Sequence, residues 1–202
     1  MFFEGRGATE VTILNPGLTE TTLKDLVTNF TTLKALTSTV TITCGDQLNG
    51  VDISVKEMLE ATMKQCSMAP AFKTKVGAEG TATISISSRK KNLFKLALNA
   101  KEFQGTGADS AKRAYTIGDD SGTRTGSTAR PFKTIIFRAY EEGVPTTDSE
   151  SWIIFPNADV EGDATMAFKI GEDRGYNLTI TAYDPLERNW KVMIGDPKLI
   201  VP

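Results

Sequence analysis

Residues 81–87 read Thr-Ala-Thr-Ile-Ser-Ile-Ser, and their apolar residues alternate with hydroxyl residues. Successive side chains of a β-strand point to opposite faces of a sheet, so this period of two predicts a strand with one buried face and one face in water. A further strand is predicted near the end of the chain, where residues 176–183 read Tyr-Asn-Leu-Thr-Ile-Thr-Ala-Tyr. These stretches make β-structure the starting prediction for the fold.

A basic turn follows the first stretch. Residues 89–92 read Arg-Lys-Lys-Asn, and the apolar residues 93–98 then predict a returning strand. The two strands indicate a β-hairpin with a charged tip. Other strands are predicted at residues 11–14, 39–43, 132–140, 152–156, 164–170 and 190–194. Many strands joined by turns are typical of a β-sandwich or barrel.

Two segments show helical spacing of apolar residues. Residues 18–36 combine this spacing with many threonines, which favour extended structure, and we expect a helix at their start. Ser54 and Glu57 have the spacing of a capping box, and apolar residues from 55 to 66 then fall on one helical face. This second segment predicts a helix over residues 54–66. The expected fold class is therefore mostly β, a β-sandwich or barrel with one flanking α-helix, and α+β in detail.

A long polar stretch interrupts the strands. Residues 104–129 contain many Gly, Thr, Ser and Asp residues, and Tyr115 and Ile117 are their only large apolar residues. Such a stretch buries too little apolar surface to order itself, and in a compact domain it is usually functional or disordered. The sequence therefore predicts a single domain over residues 1–202 with a long polar loop insertion at about 104–129.

Composition narrows the classes of function. Lys and Arg number 23 against 25 Asp and Glu, so there is no basic excess with which to hold a polyanion. Histidine is absent, which removes the usual general base near neutral pH and the commonest metal ligand. The chain contains no Walker A loop, dinucleotide-binding fingerprint or nucleophile elbow. We expect no enzyme activity, no cofactor and no metal site.

Two cysteines and the first residues bear on the compartment. Cys44 and Cys66 are too few for a disulfide framework, and free buried thiols are expected, with a single bridge left open. The first residues lack the features of a secretory signal, and no apolar run approaches the roughly 20 residues that cross a bilayer. We therefore expect a protein made in a cytosol, with no membrane among its partners.

The last third of the chain contains several segments that are informative together. In residues 131–197, a strand rich in aromatic and β-branched residues precedes residues 152–160, Trp-Ile-Ile-Phe-Pro-Asn-Ala-Asp-Val. Residues 164–172, the Thr-Ala-Tyr-Asp-Pro of 181–185 and the Val-Met-Ile-Gly-Asp-Pro of 192–197 follow. These segments resemble the C-terminal part of the phage major tail tube proteins, and the rest of the chain matches by element type only.

The resemblance implies a virion structural protein of a bacteriophage. Tail tube subunits of this fold self-assemble into hexameric rings, which stack into a hollow tube around a tape-measure protein and later carry DNA into the host during genome ejection. The implied partners are copies of the same chain, the tape-measure protein, and tail terminator or baseplate proteins, with DNA only in transit through the lumen. The implied location is the tail of the virion, assembled in the host cytoplasm.

On this hypothesis the polar segments are candidates for contacts between subunits or rings. If these segments become ordered only in contact with a neighbour, the stacking of rings would not begin until an initiator is present. The stretch 104–129 is the first candidate, the basic turn is the second, and disordered surface loops are the alternative reading of both. The candidate interface residues are Arg89, Lys90, Lys91, Asn92, Tyr115, Ile117 and Arg124.

Three other functions are compatible with the sequence. Another tube or baseplate ring component would share the fold, because function lies in the interfaces. A β-sandwich glycan-binding module would use Trp152, Tyr183 or Trp190 as a stacking platform, although aromatic residues on strands are more often part of the core. A carboxylate-dependent hydrolase comes last.

Overall fold

A computed structural model of the chain describes residues 9–15, 17–36, 39–43, 48–63, 70–87, 101–116, 132–141, 144–145, 148–165, 175–184 and 191–200. Its helices are α1 (Glu20–Lys24) and α2 (Leu26–Lys34). Its strands are β1 (Thr9–Leu14), β2 (Val40–Ile42), β3 (Leu48–Met63), β4 (Pro70–Ser87), β5 (Lys101–Gln104), β6 (Arg113–Thr116), β7 (Lys133–Glu141), β8 (Val144–Pro145), β9 (Ile153–Thr165), β10 (Gly175–Ala182) and β11 (Met193–Ile194).

One antiparallel sheet contains most of these strands, in the order β2-β1-β7-β9-β10-β4-β3, with β8 paired to β7 and β11 paired to β9. Some Cα atoms of β1 and β3 lie within 8 Å of each other, although four strands separate them in this order. The sheet is therefore curled, and its concave face encloses a core in the manner of an open barrel. The predicted mostly β fold with flanking helical structure is confirmed.

The concave face is filled by the apolar side chains of the alternating strands. Residues 82, 84 and 86 of β4 point inward, as do residues 176, 178, 180 and 182 of β10. Phe137 and Phe155 meet edge to face at the centre, with ring centroids 5.3 Å apart. Each fully buried large apolar side chain contributes roughly 1.5–3 kcal/mol, so this core is the main source of stability.

The two helices cover the convex face above β1, β7 and β9. Leu23, Leu26 and Phe30 of the helices are buried against a second apolar cluster. The hydroxyl of Thr19 begins α1 by accepting a hydrogen bond from the amide of Thr22 at 3.4 Å. The sheet side of this cluster consists of Leu14, Ile136, Trp152, Ile154 and Met193. The helix predicted at the start of residues 18–36 is therefore confirmed.

The helix predicted over residues 54–66 is wrong. The residues up to Met63 belong to β3, which pairs with β4 from Leu48 opposite Ile86 to Met63 opposite Pro70. Ile53 packs against the concave core from this strand. The ladder to β4 and this packing outweigh the local helical preference, which is worth less than about 1 kcal/mol per residue.

The break predicted between strands 152–156 and 164–170 does not occur. β9 continues through Pro156, and its register with β7 shifts there because β9 carries one extra residue. A proline has no amide hydrogen to donate, so a β-bulge accommodates it without a lost ladder bond. The carbonyl of Pro156 accepts a hydrogen bond from the Thr134 hydroxyl at 2.8 Å. β9 therefore continues from the first predicted strand to the start of the second, and residues 166–170 lie outside the described residues.

The remaining predicted strands differ little from the observed ones. The predictions at 11–14, 39–43, 132–140 and 176–183 are confirmed by β1, β2, β7 and β10, while the closing strand at 190–194 is present only as the short β11. The returning strand at 93–98, Cys44 and Cys66 lie outside the described residues.

Gly80→Ala tests the close approach of β4 to the segment before β11. Gly80 is buried, and a Cβ there would overlap Cγ2 of Val192 and lie 3.3 Å from Cβ of Ala182. We expect the free energy of unfolding, measured by urea denaturation, to fall by about 1–3 kcal/mol because the site is already filled. The double variant Gly80→Ala, Val192→Ala should recover part of the loss. If Val192→Ala lowers the free energy of unfolding as much in the Gly80→Ala variant as it does in the unaltered chain, the contact is contradicted.

Candidate assembly surfaces

The paired strands β3 and β4 extend beyond the sheet that carries them. β10 pairs with β4 only from Thr81 to Ser87, whereas β3 pairs with β4 as far as Pro70. At about 3.3 Å per residue, the chain from Pro70 to Glu79 spans ~30 Å. We call residues 57–63 and 70–79 the ribbon. Two strands alone are at best marginally stable in water, so the ribbon gains stability from any partner that packs on it.

β3 is also an open edge of the sheet. Among the strands in the described residues, it pairs with β4 alone. The N–H and C=O groups on the far side of an edge strand are free to pair with another chain. Val55 is 48% exposed on this strand and adds apolar surface to the edge. This edge is therefore a template for pairing with a further strand.

A polar surface covers the convex side of β9, β10, β4 and β3, away from the helices. The Ser85 hydroxyl donates a hydrogen bond to Oδ1 of Asn177 at 2.9 Å. We define the acidic face as the outward positions of these strands: Asp52, Ser54, Thr81, Thr83, Ser85, Asp159, Glu161, Asp163, Asn177, Thr179 and Thr181. Its four carboxylates give it a negative potential. The alternation of Asp159, Glu161 and Asp163 is visible in the sequence, although it was not part of the predicted site.

The first part of the predicted polar loop is ordered. Residues 101–116 form a hairpin of β5 and β6, so the start of the polar stretch 104–129 is the turn of this hairpin and the strand β6. The turn is held by polar contacts, including a 2.6 Å hydrogen bond from Arg113 Nη1 to the carbonyl of Ser110. Gly107 has a φ of 59°, which glycine adopts without strain. Hydrogen bonds and turn geometry therefore order a segment that apolar burial does not.

Of the predicted interface residues, the structure describes Tyr115. It lies on β6 opposite Glu102 and is partly exposed. Phe103, on the neighbouring strand, is 45% exposed. The others are outside the described residues, so their role in contacts stays a prediction: Arg89, Lys90, Lys91, Asn92, Ile117 and Arg124.

The aromatic residues suggested as a glycan platform are not equivalent. Trp152 is 2% exposed and packs against Phe30 with ring centroids 4.9 Å apart, so the suggestion is wrong for Trp152. Tyr183 is 42% exposed and contacts Phe132 at 5.4 Å, with the rings tilted by 38°. Two rings at this angle do not offer one flat surface to a sugar. Trp190 is outside the described residues.

A buried ion-pair cluster joins α2 to the sheet. The side chain of Glu10 is 2% exposed, and its Oε1 accepts hydrogen bonds from Nη2 and Nε of Arg138 at 2.6 and 3.2 Å. Its Oε2 accepts from Nζ of Lys34 at 2.7 Å. The guanidinium of Arg138 lies 4.4 Å from the ring centre of Phe30. The charges face one another, so the cluster orients the helix layer.

Comparison with known proteins assigns no function to these surfaces. No protein-family model matches the chain, and no curated protein matches it. Within the part of the chain that the structure describes, no three His, Cys, Asp or Glu side chains are grouped so that they could hold a metal ion. No helix there is long and apolar enough to cross a membrane. The function is therefore inferred from the geometry and charge of the surfaces themselves.

Glu10→Ala tests the ion-pair cluster. Removing the carboxylate breaks the buried ion pair between Glu10 and Arg138, so we expect the free energy of unfolding to fall by about 3–5 kcal/mol in urea denaturation. Lys34→Ala is the control, because the Lys34 side chain is 35% exposed and its loss should cost less than about 1 kcal/mol. Equal losses in the two variants would show that Arg138 does not depend on Glu10.

Proposed function

We propose that this chain is a structural subunit that assembles with copies of itself into rings, and that the rings stack into a hollow tube. The observation that carries the proposal is the β3–β4 pair, which joins an open sheet edge to a ribbon that projects from the sheet. An exposed edge strand can pair with a strand of another molecule, and a copy of the same chain supplies such a strand. The resemblance of residues 131–197 to phage major tail tube proteins supports the same role.

A ring of identical subunits requires a contact between two different surfaces of the chain. A heterologous contact of this kind closes when the rotation between neighbours divides a full turn. The edge of β3 in one copy would lie against another sheet edge of the next copy, and the ribbon would reach over the neighbour. The number of subunits, six, comes from the resemblance alone. In this arrangement the part of the β3 edge that lies against the neighbour's edge strand is paired within the ring.

The acidic face is suited to lining the channel of such a tube. It is polar: three of its carboxylates lie on β9 and one lies on β3, and the outward residues of β10 and β4 between them are hydroxyl and amide side chains. A channel that carries DNA must repel phosphate groups, and negative charge on the wall does so. In this proposal DNA passes through the channel without binding to its wall. The tape-measure protein occupies the channel before it, during assembly.

The same proposal places the protein in the tail of a virion, with tail terminator or baseplate proteins at the ends of the tube. Another tube or baseplate ring component would use the same edge and ribbon, so it is the nearest alternative. No catalytic role is proposed. The glycan-binding alternative has less support, because the exposed Tyr183 and Phe132 rings are tilted by 38° and Trp152 is buried.

Val55→Lys tests whether the β3 edge forms the contact between subunits. A lysine on an edge strand opposes pairing with a further strand, so we expect the concentration at which rings form to rise by about tenfold or more. Thr83→Lys is the matched control, since it adds the same charge to β4, an interior strand. Sedimentation velocity over a concentration series measures both. Equal behaviour of the two variants would contradict assembly through β3.

The double variant Glu161→Lys, Asp163→Lys tests the acidic face as a channel wall. Assembled tubes of this variant should hold DNA in a nuclease-resistant form, because the wall then attracts phosphate groups. The matched control is Glu20→Lys, Glu150→Lys, which reverses two exposed charges elsewhere. Tubes of the control should leave added DNA open to nuclease. Equal protection by both variants would contradict a channel lined by the acidic face.

A further inference from the structure

A small apolar groove lies beside the helices and outside the surfaces discussed so far. Its volume is about 280 Å³, and its walls include Leu14, Leu18, Leu33 and Leu36. Leu14 belongs to the end of β1, Leu33 to α2, and Leu36 to the turn after α2, where it is 49% exposed. We call this cavity the helix groove. It opens on the convex side of the fold, because its leucines border the cluster beneath the helices.

The helix groove is held open by hydrogen bonds within the chain. The amide of Leu18 donates to the Thr134 hydroxyl at 2.8 Å, and the Thr39 hydroxyl donates to the carbonyl of Leu33 at 2.8 Å. The Thr22 hydroxyl on the rim donates to the carbonyl of Thr19 at 3.0 Å. Hydroxyl groups of the rim therefore have partners within the chain, and the leucine walls favour a ligand that makes apolar contact. A preformed site loses little entropy when it is filled.

The volume of the helix groove limits what fits. Drug-sized ligands occupy pockets of roughly 300–1,000 Å³, whereas a dry apolar cavity of about 150 Å³ takes a molecule the size of benzene. A cavity of about 280 Å³ thus suits one or two aliphatic side chains. An exposed aliphatic segment of a protein is the ligand of matching size and chemistry.

Every copy of this chain carries such a segment. Leu199 is 86% exposed, the highest value among the exposed large apolar side chains of the described residues, and Ile200 is 40% exposed. Leu199 is the last residue of a 3₁₀ turn, Pro197–Leu199, in which the amide of Lys198 donates to Oδ1 of Asp196 at 2.9 Å. Pro197 is buried, which anchors this turn to the body. Leu199 is therefore presented to solvent from a fixed base.

We propose that Leu199 and Ile200 of one copy insert into the helix groove of another copy. The turn that carries Leu199 lies beside α1 and α2, the helices that border the helix groove, so the knob (Leu199 and Ile200) and the hole (the helix groove) are on one face of each copy. The contact rests on the self-assembly proposed above, and it names a second site through which neighbours meet. Insertion buries apolar side chains that otherwise lie in water, which is the source of its affinity.

A charge-exchange series tests the contact. Leu36→Asp and Leu199→Lys each place a charge in the interface, and both positions are exposed enough to tolerate it in the folded monomer. Each variant should raise the concentration for assembly by about tenfold or more. The double variant Leu36→Asp, Leu199→Lys should assemble more readily than either single variant, because every contact then joins opposite charges. Lys198→Ala, which alters the same turn but leaves Leu199 in place, should assemble as the unaltered chain does.

Sedimentation velocity with circular dichroism on each variant gives a decisive result. Recovery in the double variant, with all variants folded, establishes the contact between positions 36 and 199. A double variant whose defect equals the sum of the two single defects overturns it. Single variants that assemble normally overturn this contact while leaving the proposed tube intact. An unaltered chain that stays monomeric at every concentration overturns both proposals.

Discussion

Closing the concave face of the sheet brings Ile42 of β2 and Ile53 of β3, on its two outermost strands, into one apolar core. Without the curl, the inward side chains of seven strands would face water along one side of a flat sheet. The convex face of the curled sheet has two parts. One part is covered by α1 and α2, and the other is polar. The positions of the helices, the acidic face and the ribbon all follow from this one packing requirement.

The curl does not remove the edges of the sheet. β3 has 16 residues and β2 has 3, so β2 could pair with the backbone hydrogen-bonding groups of only a small part of β3. A closed barrel would leave no free backbone groups, whereas among the strands that the structure describes β3 has a partner on one side only. The mismatch in length explains why a chain with an adequate core still has an open edge among its described strands. In the proposed assembly, the stability of the monomer and the contact between copies therefore have different origins.

The sequence predicts what depends on local alternation and fails where long-range pairing decides. The period of two over residues 81–87 places Ile84 and Ile86 in the core, as observed. Residues 54–66 show helical spacing, yet the partner strand that makes them extended lies elsewhere in the chain. Among the predicted site residues, Tyr115 alone lies in the described part. The ribbon and the helix groove arise from pairing lengths and from packing between elements, which no local pattern encodes.

Self-assembly through an open sheet edge is the central claim, and negative-stain electron microscopy of the unaltered chain over a concentration series tests it most directly. The account predicts rings or hollow tubes of uniform diameter that become more abundant as the concentration rises. Such images would also give the number of subunits by rotational averaging. Uniform monomers at every concentration would contradict the claim, because the edge of β3 and the ribbon would then be stable in water without a partner.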